Sequence, residues 1–193
     1  MVAEIILAGL FGYLVGAIPA GIIVCRLIRG VDVRKVGSGH TGGLNVSRAA
    51  GIWAGVATGV VDTLLGVAAV AGATCATHNT WAATAAGVMA IIGHNWSVYI
   101  RFGGGIGIST TAGSLLYLFP LATIETLAVI LLGWLILIKL FRFHHERSRI
   151  FVVIFIGPLL YLLGIPLNGI VLGTLGSLVM IIKTIPDWNR KND

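Results

Sequence analysis

Residues 121–140 read LATIETLAVILLGWLILIKL, twenty positions with one acidic and one basic side chain. A helix needs about 20 apolar residues to cross a bilayer core, so this run is long enough on its own. Working outward from it, further apolar runs lie at 5–25, 51–73, 81–92, 108–119, 150–163 and 167–183, several shorter than a full crossing. Pro120, the Gly164-Ile165-Pro166 turn and a polar cluster at 74–79 mark connections between them. Over all 193 residues, 57% are hydrophobic, 10% are charged, and the mean hydropathy is +0.98. Soluble domains carry about 25% charged residues, so this balance excludes an ordinary water-soluble fold. The expected fold is an all-α integral membrane protein, a single polytopic domain (1–193) of seven short transmembrane helices. The runs are rich in glycine and alanine, which lets helix backbones approach closely.

Charge sets the expected orientation. The 13 lysines and arginines all fall within 26–48, 94–107, 139–149 and the tail from 183, which alternate with segments holding none. Basic residues collect on the cytoplasmic side of short loops, so the N-terminus is expected outside and the C-terminus inside. The net charge of +6 is explained in this way. The basic residues form no stripe and no aromatic platform of the kind a nucleic acid would need. Cys25 and Cys75 sit far apart and read as apolar filler. Adjacent His144 and His145 on a helix would point about 100° apart, a poor arrangement for one metal ion.

Two stretches on the inner side are unlike the rest. Residues 37–48 read GSGHTGGLNVSR, and residues 93–107 read GHNWSVYIRFGGGIG. Each is expected to lead directly into a helix that starts at the cytoplasmic face. Such a start offers free backbone N–H groups and a partial positive charge. Glycines ahead of it allow an anion-binding nest and the close approach of a ligand. Ser38, Asn45 and Ser47 add neutral donors, and Arg48 adds a charge able to grip phosphate at two points. The candidate binding set is therefore Gly37, Gly39, Gly42, Asn45, Ser47, Gly104, Gly105 and Gly107, with Asp62 near the middle of the second span, where a charge usually faces a partner or cavity. Ser38, Arg48 and His94 are the candidate catalytic residues. Residues 37–42 also fit G-x-G-x-x-G, but a transmembrane helix precedes them where a dinucleotide site needs a strand.

At these loops the chain resembles the bacterial acyl-phosphate:glycerol-3-phosphate acyltransferases, the PlsY-type integral membrane enzymes. That family's first motif reads roughly G-S-G-N-x-G-A-T-N-x-x-R, matched here by Gly37, Ser38, Gly39, Gly42, Asn45 and Arg48, with His40, Gly43 and Leu44 departing. Its second, roughly G-H-x-x-P-V-F-x-x-F-K-G-G-K-G-V-A-T, is matched by Gly93, His94, Val98, Phe102, Gly104, Gly105, Gly107 and Thr110. The two motif lysines are Gly103 and Ile106 here, and the third motif has no counterpart in residues 184–193. The resemblance implies a bacterial plasma membrane enzyme with its active face toward the cytoplasm. Its reaction would move an acyl chain from acyl phosphate to glycerol 3-phosphate, giving lysophosphatidic acid, at a membrane lipid surface and with no metal or organic cofactor. Arg101, Arg147 and Arg149 are the cations available to replace the lost lysines. Two other readings stand beside this one. One is a catalytically silent paralogue that binds lipid or a phosphorylated metabolite; the other is a small transporter with Asp62 as its coupling residue.

Overall fold

A computed structural model describes residues 1–188, with the side chains of His145 and Glu146 outside that description. The described chain forms ten α-helices: α1 (Val2–Gly16), α2 (Ala20–Arg29), α3 (Gly43–Ala50), α4 (Ile52–Thr77), α5 (Thr80–Asn95), α6 (Ile108–Leu118), α7 (Pro120–Lys139), α8 (His145–Val153), α9 (Ile156–Leu162) and α10 (Leu167–Thr184). Short 3-10 turns lie at Val33–Lys35, Val98–Ile100 and Ile185–Asp187.

Among the described residues, four stretches are long and apolar enough to cross a membrane: Val2–Arg29, Ile52–Thr77, Pro120–Lys139 and Leu167–Asp187. The outward residues are those lipid would solvate. In α7 only Ala122, Thr123 and Thr126 are buried out of 20 residues, and its exposed side chains are mainly leucine, isoleucine and valine. An exposed apolar surface of this extent is stable only against hydrocarbon.

Three expectations about the spans change. The run 5–25 is not one helix: α1 ends at Gly16, and Pro19 caps a separate α2 that continues to Arg29. Proline lacks the N–H that would continue the α1 ladder, so the chain breaks there although the hydropathy does not. The run 150–163 is likewise divided between α8 and α9. The first glycine loop does not lead directly into the long helix, because the eight-residue α3 intervenes and ends at Gly51, whose φ of 96° only glycine holds easily.

Small residues set how close the helices lie. A side-chain carbon on Gly12 or Gly16 of α1 would overlap the backbone of Ala86 or Ala90 in α5. These pairs are four residues apart on both helices, the small-xxx-small spacing of close membrane packing. Gly66 of α4 and Gly113 of α6 play the same part against each other's helix. The tight centre holds α4, α5 and α6 side by side; α3, packed on α4, carries the first glycine loop, and the second joins α5 to α6.

Candidate active site

The first loop is held from within. Gly37 and Gly39 have φ of 49° and 73°, a left-handed geometry that turns the backbone back on itself ahead of α3. Asn45, 3% exposed, pins that turn. Its Nδ2 donates to the carbonyls of Val33 (3.1 Å), Val36 (2.9 Å) and His40 (2.9 Å), while its Oδ1 accepts from the N–H of Ser38 (3.1 Å). An amide so engaged has no donor left for a ligand; Asn45 was expected to donate to phosphate, and its contribution is the shape of the loop. Ser47 is engaged too, donating to the Gly43 carbonyl at 2.9 Å and packing on Gly55 of α4.

Ser38, whose Oγ accepts from the His40 N–H at 3.4 Å, the backbone at Gly42 and Arg48 complete the loop. A side-chain carbon built on Gly42 would meet nothing within 4 Å, so the space above it is open. Arg48 is exposed in the last turn of α3, and its Cδ would lie 3.7 Å from a carbon placed on Gly37. The arginine therefore lies along the loop.

The second loop folds under the end of α5. Gly104 is so close to the carbonyls of His94 and Asn95, and Gly105 to His94 Nε2, that any side chain at either would collide. His94 is buried, with Nδ1 3.5 Å from Asp62 Oδ1 of α4 and Nε2 against Gly105. Expected as a catalytic residue, it is enclosed on both ring nitrogens and supports the loop from below. Asp62 is 2% exposed and faces this histidine rather than an open cavity. Gly107, with φ 95°, closes the loop and caps α6.

The two loops are joined at one atom. The Gly104 carbonyl accepts from the N–H of Thr41 (3.3 Å) and lies 3.3 Å from His40 Nδ1. His40 Nε2 in turn meets Asp187 Oδ2 at 2.5 Å, in the 3-10 turn that follows α10. The C-terminal segment thus reaches the site although it lacks the expected motif. It also brings Lys183, whose Nζ donates to the Asn95 carbonyl (2.6 Å) and stands 5.2 Å from the centre of the Trp96 ring. Sequence reasoning noted His40 only as a departure and passed over Lys183 and Asp187. The available signal was a histidine in the first loop and an aspartate in the tail, which the fold brings together.

Of the three arginines expected to replace the missing lysines, two go elsewhere. Arg147 lies 5.3 Å over the Trp188 ring and donates to its carbonyl. Arg101 lines a separate cavity with Arg26 and Arg34. Arg149 lines an apolar groove of about 360 Å³ between α6, α7, α8, α9 and α10. That groove takes in Leu44 and Ile108, exposed side chains in the first turns of α3 and α6, and runs past Leu115 and Ile130 to Trp134 and Ile156. His144 is described, whereas the side chains of His145 and Glu146 lie outside the described residues.

Fold and loops together define a multi-helix integral membrane protein with an anion-suited loop pair at the head of an apolar groove. The chain belongs to the glycerol-3-phosphate acyltransferase family, whose model matches residues 6–191. It is 42% identical over 127 residues to the glycerol-3-phosphate acyltransferase of Symbiobacterium thermophilum, covering 65% of this chain and 62% of that one. The enzyme of the same name from Rubrobacter xylanophilus is 46% identical over 115 residues, 60% of this chain and 57% of the relative. The matched stretch thus spans about three fifths of these curated relatives. Among solved structures, the glycerol 3-phosphate form of PlsY (YgiH), an integral membrane glycerol 3-phosphate acyltransferase, superposes with a TM-score of 0.82 at 28% identity, over 96% of this chain and 90% of that one. The lysophosphatidic acid form of PlsY superposes with a TM-score of 0.81.

Proposed function

We propose that this chain transfers an acyl group from acyl phosphate to the primary hydroxyl of glycerol 3-phosphate, giving lysophosphatidic acid and inorganic phosphate. One observation carries this reading: the two phosphate-suited loops meet at the Gly104 carbonyl, and an apolar groove opens from the first turns of α3 and α6. A charged head and a long apolar tail on one molecule fit that arrangement. The relatives that share the family carry the activity in their names, and PlsY has a glycerol 3-phosphate form and a lysophosphatidic acid form.

In this reading the acyl chain lies in the groove, and its phosphate rests against Ser38, the backbone at Gly42 and Arg48. The acceptor hydroxyl attacks the acyl carbonyl, a carbon–oxygen ester bond forms, and the bond from that carbon to the phosphate oxygen breaks. The hydroxyl proton leaves with the departing phosphate, so no side-chain base is required. This accords with the enclosure of His94, which positions the second loop together with Asp62 and Gly105. Lys183 supplies the cation that Gly103 and Ile106 do not. A buried phosphate dianion lacking counter-charge is costly, and Lys183 is the ammonium at this loop. The pairing of Asp62 with His94 also favours a loop-supporting role over ion coupling in a transporter.

The deciding experiment incubates purified full-length protein with acyl phosphate and glycerol 3-phosphate and follows phosphate release and the lipid product. Both are expected to appear in equal amounts. Absence of both, with glycerol 3-phosphate and with other phosphorylated acceptors, would overturn the reading in favour of a silent paralogue.

The same proposal places seven crossings in a bacterial plasma membrane, N-terminus out and the loops facing the cytoplasm, following the distribution of basic residues. Cys75 is exposed near the end of α4 remote from the loops, and Cys25 is buried. A membrane-impermeant thiol reagent is therefore expected to label Cys75 in intact cells stripped of their outer layers. Labelling that requires lysis would reverse the orientation.

A further inference from the structure

We propose that Arg26, Arg34 and Arg101 form a second anion site, apart from the first glycine loop and bordered by the start of the second, that binds a phosphate dianion at the membrane face. These three guanidinium groups line one cavity of about 560 Å³ between α2, the Val33–Lys35 turn and the Val98–Ile100 turn. No residue of its lining is shared with the apolar groove. The inference stands independently of the acyltransferase reading.

Charge and shape agree on the ligand class. Asp32 is the only carboxylate paired with these arginines among the described residues. It binds Arg34 in two-point fashion, through Nε at 3.0 Å and Nη2 at 2.7 Å, and lies 3.8 Å from Arg26. The Arg34 hydrogen bond pulls the Asp32 carboxyl down to about 2, so it stays ionised. Three cations and one anion leave two positive charges in excess, the complement of a phosphate dianion. Planar guanidinium forks suit its oxygens better than ammonium groups would.

Backbone geometry supplies an independent observation. Arg101 and Phe102 both have φ of 59°, two successive non-glycine residues in the left-handed region. Such conformations are costly and persist where the surroundings over-determine them, commonly at ligand sites. Here the N–H groups of Ser97 and Phe102 bond to the carbonyls of Gly103 and Ser97, each at 2.8 Å, and Ser97 Oγ donates to the Ala17 carbonyl at the α1–α2 break. The turn holds Arg101 at the cavity although glycine would fill the position at lower cost.

Apart from Tyr99, the remaining wall is apolar: Pro19, Ile22, Ile23 and Ile100. Beside it the exposed Leu27, Ile28, Tyr99 and Phe102 form a surface of the kind that sits at headgroup level. Two sources could present the group, a lipid headgroup such as that of phosphatidic acid, or free phosphate.

The test uses the full chain in nanodiscs of phosphatidylcholine with a minor share of phosphatidic acid, read by native mass spectrometry for retained lipid. In parallel, the protein in lipid-free detergent is heated with and without inorganic phosphate. Wild type is expected to retain phosphatidic acid, with Arg101→Gly and Arg26→Gln each cutting retention about tenfold. Arg101→Gly suits the local φ, so its unfolding midpoint should not fall and the loss cannot be ascribed to misfolding. If retention is absent but phosphate raises the wild-type midpoint and not that of Arg101→Gly, the site stands and its source is free phosphate. Equal behaviour of wild type and both variants in both arms, or a loss seen only in Arg48→Ala, would overturn the proposal.

Discussion

Asn45→Ala is expected to eliminate turnover and to destabilise the protein by about 3 kcal/mol or more. The side chain makes four hydrogen bonds at 3% exposure. Truncation would strand the Val33, Val36 and His40 carbonyls and the Ser38 N–H, and each buried unsatisfied group costs about 1–3 kcal/mol. Some regain water, so a figure just under the lower end of the sum, about 4 kcal/mol, is the reasonable one. Asn45→Asp separates shape from bonding. It keeps the volume and the acceptor for Ser38 but turns a carboxylate oxygen toward three carbonyls, so it should be no better than alanine. Thermal unfolding in detergent and phosphate release are the two readouts. An Asn45→Asp protein with wild-type stability and turnover would show that the loop does not depend on this amide.

Hydropathy was enough to read α4, α6, α7 and α10 within a few residues, because a lipid-facing helix announces itself by composition alone. The break at residues 17–19 was invisible to that signal, since Ala17, Ile18 and Pro19 are as apolar as their flanks. The backbone chemistry of proline, not its polarity, separates α1 from α2. The short α3 escaped for the opposite reason, because Gly42, Gly43, Asn45 and Ser47 read as loop although tertiary contacts with Gly55 hold them helical. At the site the glycines were legible and the partners were not. His40 and Asp187 are 147 residues apart, and Lys183 lies 88 residues from the carbonyl it meets. No local periodicity encodes a pairing over such separations. The substitution of lysines by Gly103 and Ile106 suggested a weakened phosphate clamp, and in the function proposed above Lys183 of α10 is the replacement cation.

That replacement frames the second large effect, a fall in turnover of about 10²–10³-fold for Arg48→Ala with little change in stability. Removing one donor aimed at developing negative charge typically costs this much. Arg48 is exposed, and among the described residues it makes no ion pair, so the fold depends on it only through its charge near the C-terminal end of α3, worth about 0.3–1 kcal/mol. Arg48→Lys should recover part of the loss, because a point charge remains while the two-point grip does not. Lys183→Gln provides the comparison. Its ammonium is anchored on the Asn95 carbonyl and the Trp96 ring, so its removal should also disturb the second loop. If both cations hold the same phosphate, the double variant will lose less than the product of the single losses, as residues acting as a unit do. Multiplicative losses would put the two cations on different phosphates, donor and acceptor. Unchanged turnover in Arg48→Ala would remove the arginine from the site altogether and leave Ser38 and the backbone at Gly42 as the donors of the first loop.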